Sequence, residues 1–103
     1  MKKVRVEIID ENTPGVDMQG YVHVDDDEDA YHWLISGVDE EEILNETLYG
    51  FGYRYYALSP DVYDVIDMDN ESVGMVTFTH TGYNDEEFFK AIFEEIGYEL
   101  EIV

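Results

Sequence analysis

The residues of this chain whose spacing could support chemistry are its carboxylates and histidines, and its 103 residues include no cysteine. A thiolate nucleophile and a zinc–thiolate site are therefore excluded. The sequence also contains no Gly-x-Ser-x-Gly nucleophile motif and no glycine-rich phosphate loop. With 26 acidic side chains, adjacent carboxylates arise by chance, so their proximity is no sign of an acid–base pair. We expect no catalytic residue, no cofactor and no enzyme activity.

Two acidic segments have the spacing with which an EF-hand calcium loop begins. The segments 25–29 and 67–71 each place acids at the first, third and fifth positions. The first segment has Ala30 instead of glycine at the sixth position and Ser36 instead of glutamate at the twelfth. The second segment departs from the motif at the same two positions. None of the three histidines has the spacing of a helical metal site: His23, His32 and His80. The sequence therefore predicts no metal site.

The net charge is the feature that indicates a function. The chain has 26 acidic and five basic residues, which gives a formal net charge of −21. Three of the cations lie at the start (Lys2, Lys3 and Arg5), so only Arg54 and Lys90 remain beside the later acids. A small domain needs a net charge of only about 2 to 8 in magnitude for solubility, and a larger excess destabilises the fold by self-repulsion. We infer that the excess has a role in binding.

The density of this charge is similar to that of DNA. Because a duplex carries one charge per roughly 1.7 Å of axis, a charge of −21 corresponds to about 36 Å of duplex. A folded domain of this length is expected to have a diameter of roughly 33 Å. A protein that holds phosphates with lysine and arginine would therefore experience a comparable field from this chain.

These carboxylates are predicted to lie on one α+β domain that covers residues 1–103, because 45% of the residues are apolar and no linker or repeat interrupts them. We expect an antiparallel or mixed sheet of about five to six strands with about three helices packed on it, in the order ββααβββαβ. The predicted strands are 3–9, 18–24, 53–58, 62–68, 73–80 and 98–102. A short helical turn after Pro60 is the alternative for 62–68.

The three predicted helices begin at acidic or capping residues. The acids of 25–29 suit the positive end of a helix over 30–36. Asp39 with Glu42 forms a capping box for the second helix, and Asn84 with Glu87 caps the third. Helix starts and outer faces are exposed positions, so the acids on these elements are expected to lie on the surface.

We predict that the acidic surface binds a basic protein, such as a nucleic-acid-binding enzyme or a nuclease complex, with no direct binding of nucleic acid or membrane. Tyrosine supplies rigid contact area at such interfaces, and the sequence contains nine tyrosines. The predicted contact residues of the first two helices are Asp25, Asp26, Asp27, Glu28, Asp29, Asp39, Glu40, Glu41, Glu42 and Glu46. The later ones are Asp61, Asp64, Asp67, Asp69 and Glu71.

In size and composition, the chain resembles small phage proteins that mimic DNA and inhibit host defence nucleases, such as anti-restriction and anti-CRISPR proteins. The resemblance implies steric competition with a phosphate backbone in the host cytoplasm. The alternatives are an immunity protein for a basic nuclease toxin, an acidic salt-adapted structural domain and a metal-dependent enzyme. A homodimer is also left open.

Overall fold

The computed structural model describes residues 2–9, 17–25, 30–79 and 82–103. Within these ranges the chain forms seven strands and two helices in the order βββαβββαβ. The strands are β1 (Lys2–Ile9), β2 (Met18–Asp25), β3 (Ala30–Gly37), β4 (Tyr53–Ser59), β5 (Val62–Asp67), β6 (Ser72–Thr77) and β7 (Tyr98–Ile102). The helices are α1 (Glu40–Gly50) and α2 (Asp85–Glu95). The predicted α+β class is confirmed.

A four-stranded mixed sheet, in the order β3-β2-β1-β7, forms one layer of the fold. Its strands β1 and β2 are antiparallel, as the alternating patterns predicted, and Val6 lies opposite Val22. Strand β7 is parallel to β1, with Val4 opposite Leu100. These alternate residues are buried beneath the helices, and the residues between them point to the other face of the sheet.

A separate antiparallel sheet, in the order β4-β5-β6, is built from three strands that are consecutive in the sequence. Its strand β5 contributes Val65 and its strand β6 contributes Val76 to the hydrophobic core. The core continues through Ile43 and Leu48 of α1 and Phe93 of α2. The helices therefore share one core with both sheets, and their acidic faces remain outside it.

The prediction of a helix over 30–36 is wrong, because this segment is strand β3. It pairs antiparallel with β2, and Trp33 lies opposite Val22 while Leu34 lies opposite Tyr21. Trp33 packs against the core and Leu34 is 58% exposed. This alternation has the period of a strand, and aromatic and β-branched residues favour that conformation.

The other predicted elements are close to those observed, with two differences in number. The strand predicted over 62–68 corresponds to β5, and the alternative of a short helical turn after Pro60 is wrong. The described chain has two helices where about three were predicted, and seven strands where about five to six were predicted. The strands also divide between two sheets, because β7 pairs with β1 and leaves β4 to β6 to form their own sheet.

Candidate functional site

Helix α1 begins with a capped and strongly acidic turn. The side chain of Asp39 accepts a hydrogen bond from the backbone N–H of Glu42 at 2.9 Å. The carboxylate of Glu42 in turn accepts one from the backbone N–H of Val38 at 3.3 Å. The predicted capping box is therefore present, with its return contact one residue before the cap. Glu40 and Glu41 complete a first turn that contains three consecutive acids.

Helix α2 begins in the same way, with a different capping residue. The side chain of Asn84 accepts a hydrogen bond from the backbone N–H of Glu87 at 2.8 Å. The first turn again contains three acids, Asp85 to Glu87. Lys90 lies one turn later, and its ammonium group is 3.0 Å from the carboxylate of Glu86. This pair is exposed and contributes only about 0.3–0.5 kcal/mol.

The two acidic helix starts lie beside each other. Partial burial raises the pKa of Glu40, and the nearby negative charges of Glu86 and Asp85 raise it further. The positive end of the helix dipole acts on this pKa in the opposite direction. We call Glu40, Glu41, Asp85 and Glu86 the helix-start patch.

Replacing Glu40 by glutamine is expected to stabilise the protein by about 0.2–0.5 kcal/mol at pH 7. Folding raises the pKa of Glu40, so the protonated Glu40 side chain contributes to stability at low pH. This contribution is lost as the pH rises through the folded pKa. The gain should therefore vanish below the ordinary value of 4.5 and shrink in about 1 M salt. Thermal unfolding of Glu40→Gln and of the exposed β7 control Glu99→Gln checks this. An unchanged or lower Tm for Glu40→Gln at pH 7 would contradict it.

An aromatic cleft of about 290 Å³ lies next to the helix-start patch. The buried rings of Phe88 and Phe89 line it from α2. Three half-buried tyrosines from β4, β5 and the segment before α2 line it as well, and two exposed carboxylates, one from each helix, complete it. We call this the tyrosine cleft, and its lining consists of Glu41, Tyr55, Tyr63, Tyr83, Asp85, Phe88 and Phe89.

The rings of the tyrosine cleft hold one another in place. The ring centroids of Tyr63 and Phe88 are 4.7 Å apart in an edge-to-face arrangement. Tyr55 meets Phe88 in the same manner at 5.0 Å, and Tyr83 stacks on Phe78 at 4.1 Å. The hydroxyl groups of Tyr63 and Tyr83 are 3.2 Å apart and share a hydrogen bond. Such contacts fix ring orientations, so the cleft is formed before any ligand arrives.

Two tyrosines of the cleft have a raised pKa, and nearby negative charge contributes to both shifts. Burial raises the pKa of Tyr55, and the charge of Glu41 raises it further, followed by Tyr63 and Asp85. The hydrogen bond with Tyr63 raises the pKa of Tyr83 to about 12, with smaller effects from burial, from the Tyr63 charge and from the charge of Asp61. Both hydroxyl groups therefore stay protonated at neutral pH, and all formal charge in the cleft comes from carboxylates.

The outer face of the four-stranded sheet has a different charge balance. It carries the cations Lys3 and Arg5, and the Lys3 ammonium lies 3.4 Å from the carboxylate of Glu101. A second cavity, of about 300 Å³, opens on this face and includes Arg5, Glu7 and His23. The helices and their caps, by comparison, carry ten acids and one cation. The other ten acids of the described residues share the strands and turns with four cations, so the acidic excess is larger on the helical side.

The acids predicted between 61 and 71 have local structural contacts. The Oδ1 atom of Asp67 accepts hydrogen bonds from the backbone N–H groups of Asp69 and Glu71, at 2.8 and 3.1 Å, and so shapes the β5–β6 turn. The exposed residue Asp61 lies in the turn before β5. Three of the five acids predicted in this region lie in the turn at 67–71. No residue of this turn lines the tyrosine cleft.

The prediction of an exposed carboxylate is wrong for Asp64, which is only 7% exposed. It lies between Tyr56 of β4 and Met75 of β6 in the register of the sheet. Ser72 donates a hydrogen bond to its Oδ1 atom at 2.5 Å, and a hydrogen bond to Asp64 raises the pKa of Tyr56. Neighbouring strands thus cover and satisfy this carboxylate.

The remaining predicted residues divide into two groups. Glu40, Glu41 and Glu42 lie at the start of α1, and Glu46 is exposed one turn later. The predicted contacts 26–29 lie outside the described residues, and Asp25 is described only as the last residue of β2. Sequence reasoning missed the acids of α2, although their capping pattern matched that of α1. No local sequence pattern indicates that these acids lie beside α1.

In the ranges that the structure describes, no three or more acidic or histidine side chains are placed to hold a metal ion together. No helix in those ranges is long and apolar enough to cross a membrane. Comparison with known protein families, curated proteins and solved structures finds no match for this chain.

Proposed function

We propose that this protein is a non-catalytic inhibitor that occupies a basic, nucleic-acid-binding protein surface in place of a phosphate backbone. The observation that carries the proposal is the juxtaposition of two acidic helix starts, where burial raises the pKa of Glu40 and the charges of Glu86 and Asp85 raise it further. Holding like charges together costs stability. A basic partner that contacts the patch would relieve this repulsion, so the arrangement favours binding over mere solubility.

The distribution of charge supports a directed interaction over uniform solvation. The helical side carries an excess of acids, whereas the outer face of the four-stranded sheet mixes Lys3 and Arg5 with Glu7 and Glu101. A uniform shell would have placed similar excesses on both faces. A one-sided field orients an approaching cationic surface and accelerates its association.

The dimensions of the molecule are compatible with replacing a length of duplex. Its principal extents are 37 × 36 × 24 Å. The net charge of −21 corresponds to about 36 Å of duplex, so the chain concentrates the charge of such a duplex within a similar length. A groove that accepts nucleic acid would then be blocked without any reaction. Proteins that act in this way include phage inhibitors of host restriction or CRISPR nucleases, and we propose the same class here.

The experiment that tests this function combines capture with displacement. The tagged protein is incubated with nuclease-treated lysate and washed at about 0.15 M and then about 1 M salt, where screening lengths are roughly 8 and 3 Å. We expect one dominant nucleic-acid-binding protein to be retained at the lower salt. Adding this chain should release a labelled oligonucleotide from that captured protein at a one-to-one ratio. Capture of many unrelated basic proteins, without displacement of the oligonucleotide, would contradict the proposal.

A further inference from the structure

The tyrosine cleft has the chemistry of a site for one organic cation. Its walls are the rings of Tyr55, Tyr63 and Tyr83, whose faces attract positive charge. The carboxylates of Glu41 and Asp85 also line the cleft. Among the described residues that line it, none is a cation. A cationic ligand would therefore meet aromatic rings and two carboxylates in the same small volume.

The size of the cleft limits the ligand. Its volume of about 290 Å³ exceeds the roughly 30 Å³ that one water molecule occupies in the liquid. It lies just below the roughly 300–1,000 Å³ found for sites of drug-sized ligands. A cleft of this volume suits a single long side chain and is too large for a bare metal ion held by direct ligands.

The positive end of the α2 dipole repels a cation, but its charge is smaller than that of the nearby carboxylates. A helix N-terminus carries a partial charge of roughly half an elementary charge. In this case the Asn84 side chain already caps one of the free N–H groups. Glu41 and Asp85 contribute two full negative charges at the cleft, and Glu40 lies close by, whereas the nearby Glu86 is paired with Lys90. The net field in the cleft therefore favours positive charge.

We propose that the tyrosine cleft binds one arginine side chain of the basic partner, with the guanidinium stacked on tyrosine and donating hydrogen bonds to Glu41 and Asp85. Arginine is favoured over lysine because its planar group both stacks on rings and binds carboxylates through a fork of N–H donors. The arginine belongs to the partner of the proposed function, on which this assignment rests. The cleft would thus fix the orientation of a partner that the broader charge attracts.

The test uses capped arginine, lysine and citrulline (the N-acetyl amides) and follows the tyrosine ring signals of the intact protein by NMR. Citrulline has the shape of arginine without its charge. Capped arginine should shift the signals of Tyr55, Tyr63 and Tyr83 saturably, with a dissociation constant in the millimolar range. Lysine should bind more weakly and citrulline should leave the signals unchanged. Equal shifts with all three compounds would overturn the proposal.

Matched variants separate the cleft from the general charge. Glu41→Gln with Asp85→Asn should weaken capped arginine binding by about tenfold. Glu94→Gln with Glu99→Gln removes the same amount of charge outside the cleft and should leave capped arginine binding unchanged. Equal weakening in both pairs would show that bulk charge binds the probe.

A substitution of one ring, together with the partner capture experiment, completes the test. Tyr83→Leu keeps both carboxylates and should still lose arginine binding, with thermal unfolding used to show that the fold is retained. Retained binding in this variant would overturn the role of the ring. If capped arginine fails to bind while the partner is still captured, this inference alone is wrong. If capped arginine binds and no partner is captured, the proposed function alone is wrong.

Discussion

A variant with amides at all four positions of the helix-start patch is expected to bind the basic partner about 30- to 700-fold more weakly than the unmodified chain. The substitutions are Glu40→Gln, Glu41→Gln, Asp85→Asn and Glu86→Gln. At about 0.5–1 kcal/mol for each ion pair lost, the four changes remove about 2–4 kcal/mol of binding free energy. The dependence of binding on salt should fall as well, because fewer charges then meet the partner. Titration calorimetry at two salt concentrations measures both effects.

The matched control removes four charges outside the patch, from Glu7, Asp17, Glu94 and Glu99, which are all exposed. It has the same net charge as the patch variant, so any difference between the two reports the position of the charge. We expect the control to retain binding within about threefold, since distant exposed charges are screened. In the patch variant the loss of repulsion around Glu40 opposes the loss of the Glu86–Lys90 pair and of favourable helix-dipole contacts, so we expect its stability to stay within about 1 kcal/mol of the unmodified chain. Equal loss of binding in both variants would assign the interaction to average charge.

Replacing Gly20 by alanine is expected to lower the free energy of unfolding by about 1–3 kcal/mol. Gly20 lies on β2 directly beneath α1, and a Cβ atom added there would overlap the Cγ2 methyl group of Ile43. Val6 Cγ1 would lie 3.6 Å from the added Cβ atom, an ordinary contact distance, so the overlap is with Ile43 alone. Ile43 is fully buried, so its methyl group has no space into which to move, and the helix must shift instead. Denaturant unfolding measures the loss.

Gly74→Ala is the control for this close approach. An added Cβ atom there would meet the Glu95 carboxylate, which lies at the flexible end of an exposed side chain and can rotate into solvent, and it would lie 3.3 Å from the Glu95 Cβ atom, which needs only a small shift. We expect little change or a gain of up to about 1 kcal/mol, because alanine restricts the unfolded chain. Ile43→Leu removes the offending methyl group and should partly restore stability to Gly20→Ala. Equal stability of the two alanine variants would contradict the proposed overlap.

The parts of the fold that could be predicted from sequence are those with local signals. Asp39 and Asn84 were correctly identified as helix caps, because a cap and its partner lie three residues apart. The helix predicted over 30–36 depends on the acids that precede the segment, whereas the segment itself has the period-two pattern of a strand. Its helical assignment lacked a buried stripe at i and i+4, whereas Trp33 and Leu34 alternate between core and solvent.

The candidate site depends on contacts that are distant in sequence. The acids of α1 were identified from their density, but nothing near them in the sequence indicates that Asp85 and Glu86 lie alongside. The tyrosine cleft likewise joins Tyr55, Tyr63 and Tyr83 from three different segments. Composition could predict an acidic surface rich in tyrosine. The geometry that makes one part of it a cleft follows only from the packing of the β4-β5-β6 sheet against α2.

The parallel pairing of β1 with β7 has a consequence for the order of folding. Val4 and Leu100 are neighbours in the sheet although nearly the whole described chain separates them. The antiparallel β4-β5-β6 sheet needs only short loops and can form early, whereas joining β7 to β1 carries the loop-closure entropy of the intervening chain. Helix α2 immediately precedes β7, so its acids should reach α1 only in this late step. A partly folded chain would then carry the same charge without a formed site, and partner capture would report completed folding.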